Sequence, residues 1–114
     1  MVQNRNKLLD IFLGNLSNAI LHKILENAIE NNEIALKYEK ELTTSFAIAM
    51  EYRAKINPVP VPLPDADQAY IKEKIMKRVR AELLLRIAKG YGNIQFDTVE
   101  EIVDGYLRES RVKK

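Results

Sequence analysis

The residues in this chain whose types and spacing suit chemistry are few. His22 is the only histidine. An imidazole titrates near neutral pH and can serve as a general base or a metal ligand. It does so only with partners that converge on it. On a helix His22 lies near Ile11, Glu26 and Ile29, at the edge of an apolar stripe, with Glu26 four residues on as an available pair. That is the setting of an ordinary boundary histidine. Asp65 and Asp67 form an Asp-x-Asp pair of the kind that can hold Mg²⁺ or Mn²⁺. They directly follow Pro64 and precede a helical pattern, where Asp is favoured for capping and for the positive helix end. "GYGNIQ" from Gly90 begins like a phosphate-binding Gly-x-Gly-x-x-Gly loop, but Gln95 stands at the third glycine and a helix, not a strand, precedes it. The hydroxyls of Thr43, Thr44 and Ser45 fall mid-helix, where they usually bond the preceding turn's carbonyls. No catalytic residue, metal ligand set or cofactor site is expected. An enzyme built around His22 or around Asp65 and Asp67 is the least favoured of three readings.

Two surfaces are better candidates. Lys72, Lys74, Lys77, Arg78 and Arg80 cluster between Tyr70 and Tyr91. At about 100° per residue, Lys74, Lys77 and Arg78 share one polar face, while Lys72 and Arg80 lie at or beyond its margins. Three cations along one track could neutralise nucleic-acid phosphates weakly and without sequence preference. A solvated face with internal pairs to Glu73 and Glu82 would look the same in sequence. The other surface is apolar. Leu36, Ile48, Leu84 and Leu85 fall on faces that helical periodicity leaves partly exposed, and a group of them favours self-association.

The bulk composition narrows the rest. The 114 residues are 46% apolar and 30% charged, with a net charge of +2. This is a globular composition that suits one domain or two small helical units. The absence of cysteine excludes disulfide, iron–sulfur and Cys-zinc scaffolds and fits the cytoplasm. Residues 1–16 read as too short and too polar for a signal peptide or membrane span, so no membrane partner is expected. Frequent Ile, Lys and Glu are compatible with a thermophilic source.

The elements that must position these residues read as all-α. Residues 6–30 carry an apolar stripe that wraps around the helix, which calls for more than one packing partner. "ENNE" at 30–33 offers a weak stop, with Asn31 and Asn32 as caps. Residues 6–56 are therefore a helical hairpin or one long helix. In residues 33–56, Ile34, Tyr38, Leu42, Phe46, Ala49 and Ile56 share a face and Ile48 sits opposite among charges. All four prolines of the chain alternate from Pro58 to Pro64. They halt the helix near Ile56 and hold 57–64 extended. Two forms satisfy this: a polyproline strut of about 25 Å with Val59, Val61 and Leu63 on its apolar side, or an edge strand whose Val and Leu amides still donate. A third helix is expected over about 67–89, apolar nearly all round in its second half and stopped by Gly90. "YGNIQF" reads as an extended connector. Thr98 and Glu101 form a capping box for a helix over about 98–110, with Gly105 inside it as a place for close helix approach. The tail from Arg108 reads as basic and frayed.

The expected architecture is thus an N-terminal helical hairpin (1–56), a proline-rich strut (57–66) and a C-terminal helix pair (67–114). These form a single compact helical bundle completed by oligomerisation. The favoured function is non-enzymatic: a small oligomerising or adaptor protein, with a homo-oligomer or another protein as partner. The alternative is a weak, nonspecific nucleic-acid-associated protein using Lys74, Lys77 and Arg78.

Overall fold

A computed structural model of the chain describes residues 5–28, 32–57, 61–90, 94 and 96–114. Among these are four α-helices, α1 (Arg5–Ala28), α2 (Asn32–Ile56), α3 (Asp65–Ala88) and α4 (Val99–Glu109), with a 3-10 turn over Phe96–Thr98 and no strand. The all-α expectation holds, and so does the hairpin: α1 and α2 are separate helices packed along their length. The Asn31 cap, Pro58, Val59, Pro60 and most of "YGNIQ" lie outside the described residues.

The wrapped stripe of α1 has a direct structural consequence. Leu9, Phe12, Leu13, Leu16, Ala19, Ile20, Leu21, Ile24 and Leu25 are all buried. One helix cannot bury residues on so many bearings against a single neighbour. Accordingly α1 packs on α2, α3 and α4. By length and composition Arg5–Asn27 could also cross a membrane, at a mean hydropathy of 1.2, a longer run than the first sixteen residues. Here 61% of its most apolar window is buried inside the fold, as befits the centre of a bundle. From α3 the core takes Ile71, Ile75, Val79 and Leu83, and from α4 Val99, Val103 and Leu107. Each of these sets repeats every four residues, the spacing of one helical face. The second helix contributes Ala49, fully buried, with Tyr38, Phe46, Tyr52 and Ile56 partly buried on the same core. Ile34, expected inward, is exposed.

The directions of the helices follow from their cross-contacts. Arg5 pairs with Asp67, and the Tyr70 hydroxyl donates to Asp10 Oδ1 at 2.9 Å. Further along, Arg78 lies against Gly14. So α1 and α3 run parallel. His22 meets Tyr38 and Glu41, so α2 runs antiparallel to both. The ends of the proline run are tied together. The Asn57 side-chain amide donates to Pro62 O at 3.3 Å, whereas a straight polyproline segment would hold these residues about 15 Å apart. Leu63 is buried and its amide donates to Val112 O at 3.1 Å, but Val61 faces solvent.

Several local expectations give way to tertiary structure. The third helix starts at Asp65, with Pro64 in the capping position and no side-chain cap, so Asp65 and Asp67 sit inside its first turn. Gly90 does end it, at φ 104°. Thr98 does not cap by its side chain. The 3-10 turn feeds α4 with Thr98 already in helical conformation. A Cβ added at Gly105 would meet nothing within 4 Å, so no close helix approach explains that glycine. The tail is not frayed. Ser110 and Val112 are fully buried. Arg111 adopts the left-handed conformation, φ 61°. Its amide donates to Arg108 O at 3.1 Å and the Val112 amide to Leu107 O at 2.9 Å. This is the paired-bond helix stop that glycine usually occupies, here with Val112 and Leu107 buried together.

Candidate functional site

The parallel packing of α1 and α3 leaves a groove between them of about 610 Å³. Its floor is Ser17, Asn18, Leu21 and His22, and its wall is the flank of α3 that carries Arg78, Glu82 and Arg86. These three follow one another at i, i+4 and i+8 and so share a flank. Gly14 matters at the groove's end. A Cβ there would sit 3.2 Å from Arg78 Nη1, so the missing side chain makes room for the guanidinium against α1.

His22 lies between this groove and a shallower one bounded by Lys40, Glu41, Thr44 and Ser45 of α2. Its Nε2 is 3.2 Å from Glu41 Oε2, and its ring stacks on Tyr38 at 5.5 Å between centroids. The pair is thus with Glu41 across the hairpin, not with Glu26 along α1. Burial pushes the imidazole below its ordinary range. Glu41 opposes that shift and Arg86 adds to it. Nδ1 is buried without a hydrogen bond, which suits a neutral ring whose Nε2–H donates to Glu41.

Asp65 and Asp67 lie far from this histidine. Arg5 sits seventeen residues before His22 and pairs with Asp67, which puts the two sites about 25 Å apart along α1. The Arg5 guanidinium grips both carboxylate oxygens of Asp67 and holds its pKa down. Asp67 is therefore committed to joining α1 and α3. Among the described residues no group of three or more His, Asp or Glu side chains converges as a metal site. Of the mid-helix hydroxyls, Thr43 Oγ1 donates to Glu39 O at 3.0 Å.

The basic cluster divides. Lys72 is drawn off to α4, with its Nζ 2.9 Å from Glu100 and 3.2 Å from Asp104. Its internal partners are thus neither Glu73 nor Glu82. Burial pushes the Asp104 carboxyl up, and the ammoniums of Lys113 and Lys72 more than reverse it, leaving it below the usual range. Lys74, Lys77 and Arg78 remain exposed, Arg78 at the groove with α1, and Lys74 Nζ stands 5.8 Å from the Tyr70 ring centroid.

The apolar candidates are all exposed: Leu36 at 58%, Ile48 at 37%, Leu84 at 60% and Leu85 at 55%. The helix directions place most of them towards the same end of the bundle. The start of α2 and the end of α3 lie at the same end of the bundle, so Leu36 joins Leu84 and Leu85 there, with Ile34 and Ile87 also exposed. Ile48 is partway down α2, apart from them.

Sequence reasoning missed Arg53. It is fully buried on a helix face read as amphipathic. Its Nη2 donates to Val61 O at 2.6 Å and Arg111 O at 2.7 Å, and its Nη1 to Asn57 O at 3.3 Å and to Asn57 Oδ1. No carboxylate pairs with it among the described residues, and burial lowers its pKa. Its position near a helix C-terminus, followed by a run poor in backbone donors, is a signal that could have marked it.

Comparison of the chain with protein families, with curated proteins and with solved structures finds no match.

Proposed function

We propose that this chain is a non-enzymatic helical assembly module, an oligomerising or adaptor protein that associates through the apolar end of its bundle. The observation that carries this reading is the gathering of Ile34, Leu36, Leu84, Leu85 and Ile87, all exposed, at one end. Single exposed apolar residues are normal, but five of them towards one end of a small bundle favour a partner surface. A proline-rich strut over 57–66 serves this reading as a stiff link between the hairpin and α3. A second copy of the chain is the simplest partner and would complete the bundle, in a reducing compartment such as the cytoplasm. Light scattering at high micromolar concentration tests it. The expected mass is at least twice the 13.1 kDa of one chain, and Leu84→Glu with Leu85→Glu returns it to the monomer. A wild-type monomer under those conditions overturns self-association.

The exposed Lys74, Lys77 and Arg78 favour a second reading, weak nonspecific binding to nucleic acid. Three phosphate contacts give a salt slope of about −2 to −3 on duplex DNA. Binding unchanged by replacing all three with Ala would remove it.

A further inference from the structure

We propose that the groove between α1 and α3 binds a small organic anion, a carboxylate or phosphate ester that also carries hydrogen-bond donors. The groove's volume of about 610 Å³ lies within the range of small-molecule sites, about 300–1,000 Å³. Two guanidiniums and one carboxylate line it, so its balance is positive. Arginine rather than lysine at both positions matters, because its planar fork matches carboxylate and phosphate oxygens two at a time. Arg78 is placed, not merely present. A Cβ at position 14 would stand 3.2 Å from its Nη1, a tight contact, and among the described residues no carboxylate lies within ion-pair distance of it. A glycine inside a helix costs about 1 kcal/mol relative to alanine, and at Gly14 that cost seats the guanidinium at the end of the groove.

The remaining lining residues specify the rest of the ligand. Arg78 and Arg86 are eight residues apart, about 12 Å along the helix axis, a gap that their long side chains shorten by leaning towards a common ligand. Glu82 sits between them and repels a second anionic centre at mid-length. The middle of the ligand must therefore offer donors, hydroxyl or ammonium, to Glu82 and to the side-chain carbonyl of Asn18. Leu21 on the floor accepts a carbon chain. Polyhydroxylated acids, amino acids and sugar phosphates share this chemistry. Inorganic anions do not.

The test is a nuclear magnetic resonance titration of the full chain with glucarate and, separately, ribose 5-phosphate. Sodium sulfate at matched ionic strength is the control. Saturable shifts at Asn18 and His22 with at least one organic anion are expected. Response to glucarate alone assigns a carboxylate ligand, and response to the sugar phosphate alone assigns a phosphate ester. Losing a charge-assisted hydrogen bond from Arg78→Gln weakens binding about tenfold to a hundredfold. Gly14→Ala, which crowds the guanidinium by a few tenths of an ångström, weakens it in the same direction but less. Lys55→Gln, an equal change in net charge on α2, leaves it nearly unchanged. The proposal is overturned if neither compound saturates below about 10 mM, if sulfate shifts the same residues equally, or if Arg78→Gln binds as wild type does. None of Ile34, Leu36, Leu84, Leu85 and Ile87 lines the groove, so the proposal's failure leaves the assembly reading standing, and the reverse holds too.

Discussion

Arg53→Met is the perturbation that best tests how this fold is closed. The guanidinium is buried without a carboxylate, which costs several kcal/mol in lost hydration. Its carbonyl partners return that cost through charge-assisted bonds, each contributing about 1.5–3 kcal/mol. Methionine keeps much of the stem's volume and removes both terms. What remains is the penalty on the acceptors. Val61 O and Arg111 O, at 2.6 and 2.7 Å from Nη2, lose their donor, at about 1–3 kcal/mol each. Relief of the buried charge offsets part of that loss, leaving a net destabilisation of about 2 kcal/mol. For a chain of this size that lowers Tm by about 8 °C. The local effect is more diagnostic. The Leu63 amide, bonded to Val112 O, and the Val112 amide, bonded to Leu107 O, should exchange about tenfold faster, beyond the change in the α1 core. Chemical denaturation and native-state hydrogen exchange measure the two quantities. A variant as stable as wild type, with both amides still protected, would refute the idea that Arg53 joins the proline run to the tail.

Gly105→Ala should stabilise the protein by about 0.5–1 kcal/mol, since a Cβ there meets nothing and alanine favours the helix. A loss of stability in denaturant melts would show that the position needs its freedom. His22 should make stability fall with acid. Its folded pKa is lowered, so its contribution is fully present above the ordinary value of about 6.5 and is lost as pH drops through the folded value. Unfolding free energy measured at about pH 7.5 and about pH 5.5 should drop more in wild type than in His22→Gln, and equal drops would contradict the assignment.

What the sequence made legible was periodicity. The wrapped stripe of α1 implied several partners, and α1 has them. Glycine at position 90 stopped α3 as expected, because φ near 104° is a local demand that only backbone chemistry meets. Features that depend on distant residues were misread. Thr98 and Asp65 carry capping side chains, yet a 3-10 turn and Pro64 occupy the geometry that capping needs. The tail looks disordered by charge, but Val112 and Ser110 are held by a helix stop whose carbonyls are used by Arg53 and Leu63. His22 found Glu41 instead of Glu26 because the hairpin brings a second helix within reach. Asn57, at the head of the proline run, contacts both Arg53 and Pro62, ties between positions that no local pattern announces.

These ties are unevenly placed, and that bears on how association would look. Arg5 with Asp67, Tyr70 with Asp10, Arg53 with Arg111 and Leu63 with Val112 all lie at the end where α1 begins. The opposite end presents Ile34, Leu36, Leu84, Leu85 and Ile87 to water. Fully burying such a side chain contributes about 1.5–3 kcal/mol. Side chains already half covered regain about 1 kcal/mol each, so a two-fold dimer over this end gains about 10 kcal/mol from both copies. Association itself costs about 4–15 kcal/mol in lost freedom. The surplus is small, so a dimer made by this end alone is expected to dissociate in the micromolar range. Light scattering across a dilution series should therefore show mass falling towards one chain, with hydrogen exchange of residues 84–88 rising in step. A dimer that survives nanomolar dilution would show that the interface reaches beyond this end, onto surfaces such as Ile48. A monomer at every concentration would leave these five residues for a different protein to cover.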